Sequence, residues 1–317
     1  MKDTNRLVSV ILPLDDHRDQ YAKSIQSFLN QTLAPAAVEV LVPCSEANPE
    51  IQQEIAQNFP DARLIQAAGL NLHELYNLAA AQASGTYLYL SEMHCVANPD
   101  CLAEAIACAE REECDCVCSN SSGINQNAVA AGEQRIFESD LENWKKNVRA
   151  KVVIRGFLIA RAVWEKFGGL QSAYGHFSEV MLGRNLQEAG KRFGYADRSV
   201  IAHCNQSNLK ELTASLIQYG YDECHSNHFA PPIAPELLCE EWTKYRDRKE
   251  KTATRMRKLK RRLFYLIAFV RFCPPNHACH FRAVERIWDA SIRIGRLRYL
   301  RELQQAAEQA SVLPASV

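Results

Sequence analysis

The hydrophobic pattern switches between two periods from the start of the chain. LVSVIL (residues 7–12), VEVLV (38–42), ARLI (62–65), TYLYL (86–90) and CDCVC (114–118) are short apolar runs of strand length. Between them the apolar residues recur at helical spacing, from Gln20 to Gln31, from Pro49 to Asn58, from Leu72 to Ala83, and in a helix that Pro99 opens and that runs to about Glu110. This alternation predicts an α/β chain whose mainly parallel sheet is covered by helices on both faces. In such sheets ligands bind beyond the carboxyl ends of the strands.

Residues 119–150 are polar, with clustered Ser, Asn, Gly and Gln, and predict a loop excursion holding a short helix. Order returns at VVIRGFLIARAVWEKFGGL, a strand that leads into a helix closed by Gly168-Gly169. In the following segment SEVMLGRNLQEAG is helical with Gly190 as its cap, and SVIAH is a strand ending in His203. Beyond Asn205 the pattern is helical, which predicts a C-terminal helical extension over 206–317.

Composition changes this picture in three places. With 317 residues and 47% hydrophobic content the chain can bury a sizeable core, and its first apolar run is a strand rather than a signal peptide. Twelve cysteines without a secretory signal point to a reducing, cytoplasmic setting. Cys114, Cys116 and Cys118 alternate as strand residues, and buried thiols are favoured over a metal site because no partner pair stands at zinc spacing.

The net charge is zero but unevenly spread: Lys244 to Arg301 holds eighteen Lys or Arg against four Asp or Glu. Within it, RMRKLKRRLFYLIAFVRF (255–272) joins a basic cluster to eight apolar residues, too few to cross a bilayer core, which takes about 20. Two placements fit the segment 244–272: against an anionic membrane surface, or packed by its apolar face on the acidic remainder of the chain. Nucleic acid is disfavoured, because Phe and Tyr form one apolar block rather than alternating with the cations.

TYLYL ends on Ser91-Glu92-Met93-His94. At strand spacing Glu92 and His94 point to one side and present two donor atoms that can grip a cation; the alternative is a partly buried His94 bonded to a neighbour.

The order of these motifs resembles the family 2 glycosyltransferases of the GT-A fold, inverting enzymes that use nucleotide sugars. VSVILPLDD is similar to the opening strand and nucleotide loop, SIQSFLNQT to the helix ending in Gln31-Thr32, NLAAAQASGTYLYLSEMHCVANPDCL to the Ala-rich helix, strand and acidic metal motif, and SEVMLGRNLQEAG to the helix of the catalytic base. The resemblance implies a nucleotide-sugar-binding half over 1–118, with Pro13, Leu14, Asp15, Asn77, Ser91 and Glu92 on the donor, and an acceptor-side half over 119–205. It places Glu92 and His94 where the family has Asp-x-Asp, with His203 as a further ligand, so that a divalent cation is expected, Mn rather than Mg given the imidazoles. Glu179 takes the place of the general base. The implied partners are a nucleoside diphosphate sugar and a glycan or lipid-linked acceptor, in surface polysaccharide assembly at the inner face of the plasma membrane. The sequence departs from the family pattern at Pro43-Cys44-Ser45-Glu46, where Asp-Asp-Gly-Ser is usual, at Tyr76 for an Arg, at Ser178 for an acid and at Asn185 for an Arg. These departures keep open the alternative of a catalytically impaired, GT-A-like binding or scaffolding protein.

Overall fold

Strands that are buried on both sides read as unbroken apolar runs, and the computed structural model uses the runs of the first half in that way. It describes residues 7–45, 47–124, 127–147, 152–230, 252–272 and 278–312. Strands β1 (Val8–Ile11), β2 (Val38–Cys44), β3 (Ala62–Gln66) and β4 (Tyr87–Leu90) pair in parallel. Helices α1 (Tyr21–Leu29), α2 (Pro49–Asn58), α3 (Leu72–Gln82) and α4 (Cys101–Arg111) alternate with them as the periodicity predicts. Pro49 sits in the first turn of α2, where its missing N–H costs nothing, and Asn71 and Glu74 close a capping box on α3.

The sheet has eight strands in the order β3-β2-β1-β4-β7-β6-β8-β5, completed by β5 (Cys95–Ala97), β6 (Cys116–Gly123), β7 (Phe157–Ala160) and β8 (Phe193–His203). Strand β7 runs antiparallel between β4 and β6, β6 and β8 are parallel, and β5 closes the edge antiparallel to β8. Successive side chains go to opposite faces: Val8, Val10 and Tyr89 pack with Phe28 and Leu102, while Ile11, Leu88 and Leu90 pack with Tyr76, Ala79 and Trp164. Both faces are thus covered.

Three expectations change. Residues 119–150 are not mostly loop: β6 extends to Gly123, and α5 (Ala128–Asn147) occupies 20 residues. Its Ala, Glu, Gln and Lys favour helix, but its largely polar faces hide the period. The strand ending in His203 begins at Phe193, well before SVIAH. Strand β5 was not foreseen at all. The expected helix after β7 is present as α6 (Arg161–Phe167), stopped by Gly168 at φ 73°, and α7 spans Ser178–Glu188. Cys116 and Cys118 are buried among Phe157, Ile159 and their neighbours, as core residues.

The chain divides into two compact units. The first comprises Met1–Asn125, Phe137–Ser172 and Ser178–Asn205 and contains the sheet. The second takes in Gln206–Val317 with the upstream segments Gln126–Ile136 and Ala173–Phe177. Its core lies between α8 (Leu209–Phe229), α9 (Thr252–Phe272) and α10 (Ala278–Val312). Helices α8 and α10 touch backbone to backbone, since a Cβ on Gly220 would lie 2.1 Å from the Ile292 carbonyl oxygen and one on Gly295 1.9 Å from that of Ile217. Helix α9 buries Met256, Leu263 and Val270, one residue in seven, in this core. The basic segment's first part, 244–251, lies outside the described residues. Among the described residues no helix is long and apolar enough to cross a membrane.

Candidate metal and donor site

The site forms where β4 ends. Glu92 and His94 are not strand residues but occupy the turn between β4 and β5, closed by the Cys95 amide donating to the Glu92 carbonyl at 3.0 Å. What aims them is the short β5: it pairs with β8 so that Cys95 faces His203, and the Cys204 amide donates to the His94 carbonyl at 3.1 Å. Glu92, His94 and His203 each offer one ligand atom, and these atoms lie within 4.8 Å of one another.

The imidazoles are fixed from behind. His94 Nδ1 lies 2.6 Å from the Asp16 carbonyl oxygen, and His203 Nδ1 lies 2.8 Å from Asn205 Oδ1. Both oxygens can only accept, so both Nδ1 atoms carry a proton and both Nε2 atoms face inward. The two Nε2 atoms are 3.0 Å apart, with Glu92 Oε2 at 3.7 Å from His94 Nε2 and 3.3 Å from His203 Nε2. The carboxylate and the two inward Nε2 atoms form a donor group that a cation can join. Nitrogens at this spacing can each lie about 2.1 Å from one transition ion, so the donor set fits a divalent metal.

The electrostatics agree. Burial pushes the His203 imidazole down from its ordinary 6.5 to about 3, with Arg155 acting in the same direction against Glu92, so the ring is neutral and available as a ligand. For Glu92 burial alone would raise the pKa, but His94, the His203 hydrogen bond and Arg155 outweigh it and hold the carboxyl below the usual carboxylate range.

The other expected site residues fall into two groups. Pro13, Leu14 and Asp15 run past the end of β1; the Leu14 amide donates to Pro43 at 2.9 Å, and Asp15 is exposed. The Tyr76 hydroxyl donates to the Ser91 carbonyl at 2.8 Å, and its pKa is raised far above 10, first by burial and then by the charges of Glu92, Glu179 and Asp15. One phenol therefore feels the charges of Glu92, Glu179 and Asp15 together. Glu179 Oε2 accepts the Ile154 amide at 3.0 Å.

Asn77 and Ser91 lie deeper in the fold. Asn77, expected on the donor, donates through Nδ2 to the Leu170 carbonyl at 2.6 Å and accepts the Leu170 amide at 3.0 Å, pinning the turn after α6. The Ser91 hydroxyl is fully buried, and its backbone holds Tyr76 and β1. Glu46 lies outside the described residues.

Three participants were missed. Asn205, two residues after His203, was visible as a polar neighbour of a candidate ligand. Asp16 acts through its carbonyl, which no side-chain pattern reveals. Arg155 brings a positive charge to Glu92 and His203 although Tyr76 has replaced the expected donor-side Arg; its guanidinium lies 4.1 Å over the Phe137 ring. Arg18, in left-handed backbone at φ 43°, ties the same loop down by bonding Asp16 at 2.8 Å and the Cys204 carbonyl.

Known proteins share this framework. A mannosyltransferase, PcManGT from Pyrobaculum calidifontis, in complex with GDP-Man and Mn2+, superposes with a TM-score of 0.63 at 15% identity, over 95% of this chain and 89% of its own. TarS from S. aureus matches at 0.50 and 11% identity over 92% of this chain and 55% of the longer TarS chain; its 1–349 fragment also matches at 0.50, at 12% identity over 96% and 92%. At such identities the likeness shows the fold, that of GT-A glycosyltransferases. No curated protein sequence matches the chain. The sequence pattern described as Glycosyl transferase family 2 matches residues 9–174, just over half of the chain and all but the first residue of the stretch from β1 to α6, and by that match the chain belongs to glycosyl transferase family 2.

Proposed function

We propose that the chain is an inverting glycosyltransferase that moves a sugar from a nucleoside diphosphate sugar to a hydroxyl of a glycan or lipid-linked acceptor. The observation that carries this is the pair of inward-turned Nε2 atoms beside the Glu92 carboxylate, at the end of β4 in a member of this family. The PcManGT complex, which holds both a nucleotide sugar and Mn2+, supports a donor and a divalent ion of the same kinds here.

Glu92, His94 and His203 would hold the ion, with Asp16 and Asn205 fixing the ring tautomers. When bound, the cation offsets the negative charge that develops on the departing diphosphate. Arg155 adds a second positive charge near the same place. Glu179 takes the proton of the acceptor hydroxyl while that oxygen forms its bond to the anomeric carbon; the bond from that carbon to the donor phosphate breaks on the opposite face, and its electron pair leaves with the diphosphate. Inversion follows from this in-line displacement. An acceptor in surface polysaccharide assembly, with the chain at the inner face of the plasma membrane, suits the basic C-terminal segment.

Calorimetry with UDP and GDP, each with Mn and with Mg, followed by a screen of nucleotide-sugar hydrolysis in the wild type and Glu179→Gln, tests the proposal. Binding with Mn, and turnover that Glu179→Gln loses, are expected. A catalytically impaired binding protein is favoured by one observation, the commitment of Glu179 Oε2 to the Ile154 amide. Nucleotide binding without turnover of any donor would establish that alternative, and absence of both would remove the donor site altogether.

A further inference from the structure

Helix α9 has two apolar faces where one is enough. Met256, Leu263 and Val270 fill the core of the second unit, and Phe264, Tyr265 and Phe269 stand on the other side, exposed at 69%, 64% and 50%. At about 100° per residue these three rings share an arc of about 140° that points away from the buried stripe. Exposed aromatic residues of this size, grouped rather than scattered, mark a surface built to be covered.

Charge identifies the cover. Helix α9 contains no acidic residue. Arg257, Lys258, Arg261 and Arg262 are exposed one to two turns before the rings, on the same half of the helix. Beside this face, α8, α9 and α10 line an open cavity of about 390 Å³, with Ile217, Met256 and Ile294 as its apolar residues and Lys260, Arg298, Arg301, Glu302 and Gln305 as its polar ones. Arg298 is engaged by Glu302 at 3.0 Å. Lys260 and Arg301 have no ion pair among the described residues. Lys260 lies one helical turn before Phe264, so the rim of the cavity runs into the aromatic face.

We propose that the second unit docks on an anionic lipid bilayer through α9, with Phe264, Tyr265 and Phe269 in the interface and a lipid phosphate seated between Lys260, Arg298 and Arg301. Aromatic rings are at home at the boundary of headgroup and acyl chain, and cations beside them meet the negative leaflet. A second copy of the chain would bring like charges together across a two-fold contact. A nucleic acid would leave the three rings without bases interleaved among cations. The inference does not rest on the metal and donor site.

Flotation of the full chain with phosphatidylcholine vesicles, with and without phosphatidylglycerol, tests it in the absence of nucleotide and divalent ion, so that its outcome is independent of the donor site. Partitioning should be at least tenfold stronger on the anionic vesicles. It should fall at least tenfold in F264S/Y265S/F269S, and about thirtyfold in K260Q/R301Q on anionic vesicles only. All are surface changes, and circular dichroism would verify that each variant is folded. Equal binding to both vesicle types, or unchanged binding in the aromatic variant, would overturn the docking. Unchanged binding in K260Q/R301Q would overturn the phosphate seat. Capture of duplex RNA, or a doubling of solution mass that F264S/Y265S/F269S abolishes, in place of vesicle binding would overturn it in favour of those partners.

Discussion

His94 Nε2 and His203 Nε2 face each other at 3.0 Å, and the Asp16 carbonyl and Asn205 Oδ1 each hold a proton on the far nitrogen of one ring. The residues are 109 positions apart, and the antiparallel pairing of β5 with β8 brings them together.

A preformed pair of this kind should bind a transition ion before any nucleotide arrives. His203→Ala is expected to reduce Mn or Co affinity at least a hundredfold, and Asn205→Ala, which frees the ring without removing a ligand, by about ten- to a hundredfold. Metal titration of the nucleotide-free protein, by calorimetry or by the visible absorption of Co, measures both.

The neutrality of His203 also sets a pH dependence of the metal-free protein. Its folded pKa of about 3 lies below the ordinary 6.5, so between these values the unfolded chain binds a proton that the folded chain refuses. Stability therefore falls as pH drops through 6.5, by about 1.4 kcal/mol per pH unit for this one group. Between pH 6.5 and about 5.5 Glu92 stays ionised in both states and adds nothing to the slope; at lower pH its unfolded form takes up a proton and steepens the fall. Urea midpoints of the wild type and His203→Gln across this window should diverge, with the wild type steeper by about one proton; parallel lines would show that His203 is charged in the fold.

What was legible in the sequence follows from what is local. The strand and helix periods of β1 to α4 are written in adjacent residues, and so are Gly168 as a helix stop and the Glu92–His94 pair. Strand β5 was hidden because three residues carry no period and its partner lies a hundred positions away. Helix α5 was hidden by polar faces and by Gly132, which sits mid-helix because a Cβ there would meet Val284 at 2.7 Å. Asn77 was legible as a motif residue but not in its bonding: an amide that can serve a ligand can equally clamp a turn, and only the position of Leu170 distinguishes the two.

That clamp is itself testable. Gly169 adopts φ 65°, and a Cβ there would lie 2.2 Å from Asn77 Oδ1. Gly169→Ala must strain the backbone and push the amide away from Leu170. A loss of about 1–3 kcal/mol is expected. Asn77→Ala should lose a comparable amount by orphaning the Leu170 backbone groups. Denaturant unfolding of the two single variants and the double variant would show strong non-additivity.

In the second unit the crossing of α8 and α10 allows no side chain at Gly220 or Gly295, since each added Cβ would strike a backbone carbonyl rather than a movable side chain. Gly295→Ala should therefore destabilise the helical unit by about 1–3 kcal/mol even though Ala is the better helix former by about 1 kcal/mol. Helical circular dichroism followed through thermal unfolding reads this directly. An increase in stability would mean that the helices cross farther apart.

Glu179 offers the sharpest separation of binding from chemistry. Its carboxylate is held by the Ile154 amide on one oxygen, and its charge reaches the Tyr76 phenol together with that of Glu92. Glutamine keeps the shape and an oxygen for the Ile154 amide but cannot accept a proton. Glu179→Gln should lower kcat by about a hundred- to ten-thousandfold and leave the nucleotide Kd within about twofold of the wild type. His94→Ala should weaken nucleotide binding in Mn as well as turnover, because it acts on the donor side. A Glu179→Gln variant that retained full kcat would place the base elsewhere, and one that lost nucleotide binding would place Glu179 on the donor. The two variants together therefore assign the two halves of the site by measurement of kcat and Kd alone.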